Sequence, residues 1–312
     1  MQEEYNDYSN HIGLRLCHSL RRIRYFPLPG FHRIVLFLSN KIPKPRSTDP
    51  CIIKTIHGFR ILIDPALGEG LERSLFEFGT YEEGTLRILD QILRNGGVFI
   101  DIGANIGLMS LHAADILKGK GTVLSFEPLP STFAILQKNI GINHNSNIHA
   151  INKAIGSKKG IVDIYENPEM NRGAASIIKP NSSESSFKIP IISLDEYLTM
   201  RGSISPIKCL KLDVEGWELE VLKGAKITLS DPNAPICILE YSKYHKTYGG
   251  ENHDIYTYLQ NINSYRLFRL ERGKERPSKL IEIKQISDLP KHDNLFCFLQ
   301  KHIDNLPSRI FS

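Results

Sequence analysis

Cysteine is scarce in this chain of 312 residues: there are five thiols, at positions 17, 51, 209, 237 and 297, with no Cys-x-x-Cys pair and no histidine at metal-ligand spacing beside them. A reducing, cytoplasmic setting is the simplest expectation. Cys209, Cys237 and Cys297 sit inside IKCLKL, ICILEY and LFCFLQ, where a free thiol behaves as a small apolar side chain. Long apolar runs are also lacking. The most apolar early stretch, IVLFL at 34–38, is far too short to cross a bilayer, and the acidic, polar QEEYNDYSN after Met1 is unlike a secretory leader. Charge of one sign is thin as well: 39 Lys and Arg stand against 34 Asp and Glu, net +5, with no long basic run, so no nucleic-acid partner is expected. The chain shows no internal repeat and no long low-complexity tract, and nothing in it bears on oligomeric state. What remains, 41% apolar and 23% charged residues, is the composition of an ordinary globular domain.

Three segments follow from the patterning. Residues 1–50 place Leu14, Leu16, Leu20, Ile23, Ile34 and Phe37 among Arg15, Arg21, Arg22, Arg24 and Arg33 and end in the Pro-rich KIPKPRSTDP, which reads as a helical arm and linker. Its apolar side chains either pack on the main domain or, with the arginines, dock on a partner or peripherally on an anionic inner membrane face. Residues 51–97 begin with CIIKTIHGFRILID, two β-rich runs around His57-Gly58, and continue into EEGTLRILDQILRN, an amphipathic helix with Leu86, Leu89, Ile92 and Leu93 on one face. From 98 to 312, short apolar runs alternate with helical stretches. That alternation predicts an α/β, Rossmann-like fold, a mainly parallel sheet of seven strands with helices on both faces. The Ser/Asn/Pro-rich stretch 168–187 reads as a surface insertion near the ligand edge.

The strongest chemical signal is VFIDIGANIGLMS at 98–110, an apolar strand running into Asp-x-Gly-Ala-Asn-x-Gly and then a helix. Gly103 and Gly107 allow a sharp turn and close backbone approach to a ligand, while the helix start offers amides. A pyrophosphate site would want Gly-x-Gly-x-x-Gly, which is absent. Asp101 at the strand end points instead to a cationic ligand group, such as the amino group of S-adenosylmethionine. The bland alternative is a tight turn with no ligand. About twenty residues on, TVLSFEPLP ends its strand in Glu127, a carboxylate placed to accept both hydroxyls of a ribose. A third strand brings Asn152 and Ala154 of AINKAIG to where an adenine would lie, although a structural turn suits them equally.

Further along, IKCLKLDVEGWELEVLKGA and ICILEYSKY end their strands in Asp213 with Glu215, and in Glu240. Three carboxyls at the carboxyl edge of the sheet suit catalysis: they orient and deprotonate an acceptor hydroxyl, with Asp213 and Glu240 also candidate ligands for a divalent cation such as magnesium. The structural alternative has Asp213 capping the helix that follows Trp217, with Glu215 and Glu218 at its positive end. Trp217 is expected in the core.

At this point the chain resembles the FkbM-type methyltransferases, named after an O-methyltransferase of macrolide biosynthesis. The likeness runs from about Gly79 to Phe298 through GTYEEGTLRIL, VFIDIGANIGLMSL, VLSFEPLP, NKAIGSKKG, ISLDEYL, KLDVEGWELEVLKGA and ILEYS. It implies a class I methyltransferase fold with strand order 3-2-1-4-5-7-6, S-adenosylmethionine as methyl donor, and O-methylation of a sugar, glycan or polyketide-like acceptor. It also implies cofactor roles for Asp101, Gly103, Asn105, Gly107 and Glu127, with Tyr81 and Glu82 closing over the methionine end. Two other readings stay in view: methylation of RNA or protein, against which the absence of an [Asp/Asn]-Pro-Pro-[Tyr/Phe] run at the fourth strand counts, and a non-catalytic binding protein that kept the fold.

Overall fold

A computed structural model describes residues 5–23, 30–45, 48–67, 70–165, 186–202, 206–243 and 254–312. In chain order, β1 (Asn6–Asp7), α1 (Ile12–Arg22) and α2 (Phe31–Lys41) precede β2 (Cys51–Lys54), β3 (Arg60–Ile63), α3 (Leu71–Phe78) and α4 (Glu83–Leu93). Next come β4 (Gly97–Ile102), α5 (Leu108–Ile116), β5 (Gly121–Phe126), α6 (Pro130–Asn143) and β6 (Ile148–Ile151). They are followed by β7 (Ala154–Ile155), β8 (Gly160–Tyr165), β9 (Ser186–Ile192), α7 (Leu194–Arg201), β10 (Ile207–Leu212), α8 (Glu218–Gly224) and α9 (Lys226–Ser230). The chain closes with β11 (Ile236–Ser242), α10 (Asp254–Asn263), β12 (Arg266–Leu270), β13 (Leu280–Ile283), β14 (His292–Phe298) and α11 (Gln300–Asn305).

The central sheet has the order β13-β12-β14-β11-β10-β4-β5-β6. Counting core strands along the chain, this is 3-2-1-4-5-7-6 with one strand more than expected. The extra strand is β13, which pairs antiparallel with β12 and covers its outer edge. Strands β6, β5, β4, β10 and β11 run parallel, and β14 is antiparallel to both β11 and β12. The parallel strands are apolar along their length because both faces are covered. Alternation in β4 divides its side chains between two layers: Val98, Ile100 and Ile102 enter one apolar cluster and Phe99 the other. All five cysteines are free and buried.

Two expected members of the central sheet lie elsewhere. The runs IVDIYE and KIPII form β8 and β9 of a separate three-stranded sheet with β7. Each leaves alternate side chains exposed, the pattern of a one-sided antiparallel pair rather than a strand buried on both faces. Most of the 168–187 stretch lies outside the described residues.

The leading hairpin β2–β3 takes β1 as a parallel third strand. It is tied to the core by α6. Asn139 accepts from the Leu62 amide at 2.6 Å and donates to the Leu62 and Ile106 carbonyls at 3.3 and 2.8 Å. One turn later, Asn143 accepts from the Arg60 amide at 2.8 Å and donates to its carbonyl at 2.6 Å. Two asparagines at i, i+4 thus satisfy the free edge of β3. The arm packs on α3: His18 Nε2 lies 2.9 Å from the Phe76 carbonyl, and Arg21, itself buried, pairs with Glu77 at 2.6 Å.

Candidate active site

The carboxyl ends of the central strands open into a cavity of about 330 Å³. One half is lined by the ends of β4, β5 and β7, through Asp101, Gly103, Asn105, Glu127 and Ala154. The other half holds Tyr81, Glu82, Lys211, Asp213, Glu215, Glu240 and His292. Two of the anticipated residues do not line it. Gly107 starts α5 with φ 97°, and a Cβ there would come within 2.6 Å of the Leu136 side chain, so its role is packing of the helix start. Asn152 turns its side-chain amide to the carbonyls of Glu127 and Pro128, both at 2.8 Å, and shapes the loop after β5.

Gly103 is where the turn depends on glycine. Its φ is 82°, and a Cβ would lie 1.9 Å from the Asp213 carbonyl oxygen, so the loop after β4 and the end of β10 touch backbone to backbone. Asn105, Glu82 and Glu215 also adopt left-handed φ values, 50°, 48° and 51°. Three strained non-glycine residues facing one cavity is the pattern of a functional site.

Asp101 lies between Ser125 and Lys211 across the parallel ladder. Its Oδ2 accepts from Ser110 at 2.6 Å, whereas Oδ1 is buried with no partner. Burial raises its carboxyl above the ordinary range, against the pull of Lys211. Glu127 is fastened by two backbone amides, Asn105 at 2.9 Å and Leu129 at 3.0 Å. Burial nevertheless pushes it up to about 7.

In the other half, four carboxyls face two ammonium groups. Lys211 sits 2.9 Å from Asp213, and Lys274 bridges Glu82 at 2.9 Å and Glu240 at 2.7 Å. Burial alone would raise Asp213, but the ammoniums of Lys211 and Lys274, with a hydrogen bond from Glu240, hold it well below the usual range. The two surplus carboxyls go the other way. Glu215 and Glu240 are raised, first by burial and then by the Asp213 charge. Burial would depress Lys211; the neighbouring carboxylates overcome it and raise the ammonium instead.

Oxygen atoms of Glu82, Asp213 and Glu240 do lie within 4.8 Å of one another, a spacing that suits a cation. The Lys274 ammonium already bridges Glu82 and Glu240, so a divalent ion at the anticipated Asp213–Glu240 pair would have to displace a buried lysine. Nor does Asp213 cap the next helix. Glu218, the first residue of the helix, instead ties back the preceding loop, accepting from the amides of Val214 at 3.1 Å and Gly216 at 3.3 Å. Trp217 is both core and cavity wall.

Lys274, His292 and Asn294 carry no sequence signal of their own. Lys274 arrives on the β12–β13 connection, held by its amide to Asp293 at 2.8 Å and its carbonyl to Gly84 at 2.9 Å. His292, opposite Ser242 across β11–β14, brings Nε2 to 3.6 Å from Glu240. Asn294 holds Glu82 at 2.7 Å. Lys211, one of two lysines in β10 and the one set among its buried residues, stands out where Lys208 is exposed at the strand start.

The topology and the glycine loop define a class I, Rossmann-like methyltransferase fold. The chain belongs to the FkbM methyltransferase family, whose domain description, Methyltransferase FkbM domain, matches residues 101–270, more than half of its length. It is 33% identical over 152 residues to a hexuronic acid methyltransferase, AglP, of Haloferax volcanii, covering 49% of this chain and 59% of that protein. It is 27% identical over 145 residues to Methyltransferase 1 of Beauveria bassiana, covering 40% of this chain and 57% of that one. The matches thus span under three-fifths of these relatives. Among solved structures, it is similar to TYW2 of M. jannaschii in complex with AdoMet, with TM-score 0.39, 13% identity and coverage of 82% and 87% of the two chains. It is also similar to an SAM dependent methyltransferase of Agrobacterium tumefaciens, with TM-score 0.41, 10% identity and coverage of 82% and 72%.

Proposed function

We propose that the chain is an S-adenosylmethionine-dependent O-methyltransferase acting on a hydroxyl of a sugar, glycan or polyketide-like small molecule. The observation that carries this reading is the pair of buried carboxyls at adjacent strand ends, Asp101 with an unsatisfied Oδ1 and Glu127 clamped by two amides, facing one cavity. A buried carboxylate oxygen without a partner is costly unless a ligand donor completes it. An α-amino group fits Asp101, ribose hydroxyls fit Glu127, and Ala154, Ile155, Phe126 and Leu129 offer an apolar seat for a purine. When bound there, S-adenosylmethionine supplies an electrophilic methyl on a sulfonium.

The residues of the other half then have to hold an acceptor oxygen in line, within about 3–3.5 Å, and take its proton. Asp213, ionised and fastened to Lys211, suits orientation more than proton transfer because its basicity is low. Glu240, raised by its surroundings, is the better base once ionised, with His292 beside it and Glu215 across the cavity. No metal is needed in this scheme, since Lys274 supplies the compensating charge. A sugar or glycan acceptor is in keeping with the relative named for hexuronic acid, and the near balance of charges gives no signal for nucleic acid.

Calorimetric titration with S-adenosylmethionine and S-adenosylhomocysteine tests the reading first. Saturable binding is expected, weakened about a hundredfold in Glu127→Ala, as loss of two hydrogen bonds to a charged group implies. Folded wild-type protein that binds neither compound would sink it.

A further inference from the structure

The arm carries a surface on which exposed apolar and basic side chains gather. On α1, Leu14, Cys17, His18 and Arg21 are buried against the body, and the opposite side carries Ile12, Leu16 and Ile23, exposed by 74%, 54% and 49%. On α2, Val35 and Ser39 face inward while Ile34, Phe37 and Leu38 stand out, exposed by 56%, 62% and 47%. These six make up more than half of the large apolar side chains exposed among the described residues, gathered within 27 positions. The two helices are held side by side. Arg21 donates to Ser39 at 2.8 Å and to Asn40 at 2.9 Å, so both outer stripes belong to one pair.

Neither helix contains an aspartate or glutamate, and Arg15, Arg22, Arg33 and Lys41 are exposed beside the apolar stripes. Lys41 Nζ lies 5.4 Å from the Phe37 ring centre. A groove for a peptide would half-cover its apolar floor, whereas side chains exposed by half to three quarters protrude. Protruding apolar groups flanked only by cations are the complement of an anionic lipid interface, where the aliphatic parts enter the acyl boundary and the cations meet phosphates. Among the described residues no helix is long and apolar enough to cross a membrane, so attachment here is from one side.

We infer that the outer face of α1 and α2 docks the protein peripherally on anionic lipid bilayers. The inference is independent of the methyltransferase reading, because none of these side chains reaches the cavity.

Co-sedimentation of the full chain with vesicles tests it, comparing pure phosphatidylcholine with a mixture containing phosphatidylglycerol, at low and high salt. Binding to the anionic vesicles at low salt is expected, at least about tenfold stronger than to neutral ones and weakened by salt. Leu16→Glu with Phe37→Glu should abolish it while circular dichroism and S-adenosylmethionine affinity stay as in the wild type. Equal partition onto neutral and anionic vesicles, or unchanged binding by the double variant, overturns the inference. So does a wild-type dimer in ultracentrifugation that the same double variant dissociates without any vesicle binding, since the face would then join two copies of this chain.

Discussion

Lys274 and Glu240 are 2.7 Å apart, and contacts of this kind set the site's electrostatics once burial has acted. Two ammoniums suffice for two of the four carboxyls, so Glu215 and Glu240 keep their protons well above the ordinary carboxyl range, after burial has done the larger part. A carboxyl in that state is a useful base only when it has ionised. Turnover should therefore rise with pH above the ordinary carboxyl range. In Glu240→Gln, turnover should fall by roughly 10²–10⁴-fold and the rising limb should vanish, while S-adenosylmethionine affinity is retained. A profile of kcat against pH checks this; an unchanged limb in the variant would move the base elsewhere. Adding a chelator to the wild type should change nothing, because the cation in this cluster is a lysine.

At the scale of elements, the site depends on how the leading hairpin meets the core. Strand β3 and helix α6 are joined by side-chain amides rather than by a backbone ladder, and Asn139 is fully buried. Asn139→Ala should strand the Leu62 amide and the Leu62 and Ile106 carbonyls and destabilise the protein by about 2–3 kcal/mol. Chemical denaturation measures it, and Asn143→Ala, at a half-buried position, should cost less. A loss below about 0.5 kcal/mol for Asn139→Ala would mean that water replaces the amide freely. Helix α4 was legible from its 3.6-residue apolar period, and the strands β4, β5, β10 and β11 from short continuous apolar runs set between helical stretches and bounded by turn residues. Strand β13 was not, since LIEI is short and becomes a strand only by pairing with β12. Strands β8 and β9 were legible as strands but not as a separate sheet, because sheet membership is a matter of pairing rather than of local pattern.

Across the molecule, several carboxyls are raised by burial, and the sign of the resulting pH dependence follows. Glu127 and Glu218 move from 4.5 to about 7, both primarily through desolvation. Below pH 4.5 they are protonated in folded and unfolded chains alike. As pH rises toward 7 the unfolded chain ionises while the folded one resists, so the stability these groups contribute is lost through that interval, on the order of 3 kcal/mol apiece. Carboxyls lowered by partners, such as Glu77 beside Lys44 and Arg21, act with the opposite sign but at lower pH. Buried His57 and His302, lowered first by desolvation, act with the opposite sign up to about pH 6.5, so the test is a difference: between pH 5 and 7.5 the wild-type urea midpoint should fall relative to that of Glu218→Gln. A difference that stays constant over this interval would contradict the burial argument.

The order of elements, the parallel core and the cofactor half of the cavity are properties of contiguous sequence. A strand, a glycine turn and a helix follow one another within 98–110, and Glu127 ends the next strand, so Asp101, Gly103 and Glu127 converge wherever two such units pair in parallel. The acceptor half is different. Glu82 from the start of α4, Lys274 from the β12–β13 connection and Glu240, His292 and Asn294 from β11 and β14 meet only when strands far apart in sequence become neighbours. Which carboxyl keeps its proton, and that a lysine occupies the place of a metal, depend on distances of 2.7–2.9 Å between such residues. The same holds for the arm: sequence supplies apolar and basic residues in alternation, and only packing against α3 decides which of them remain exposed.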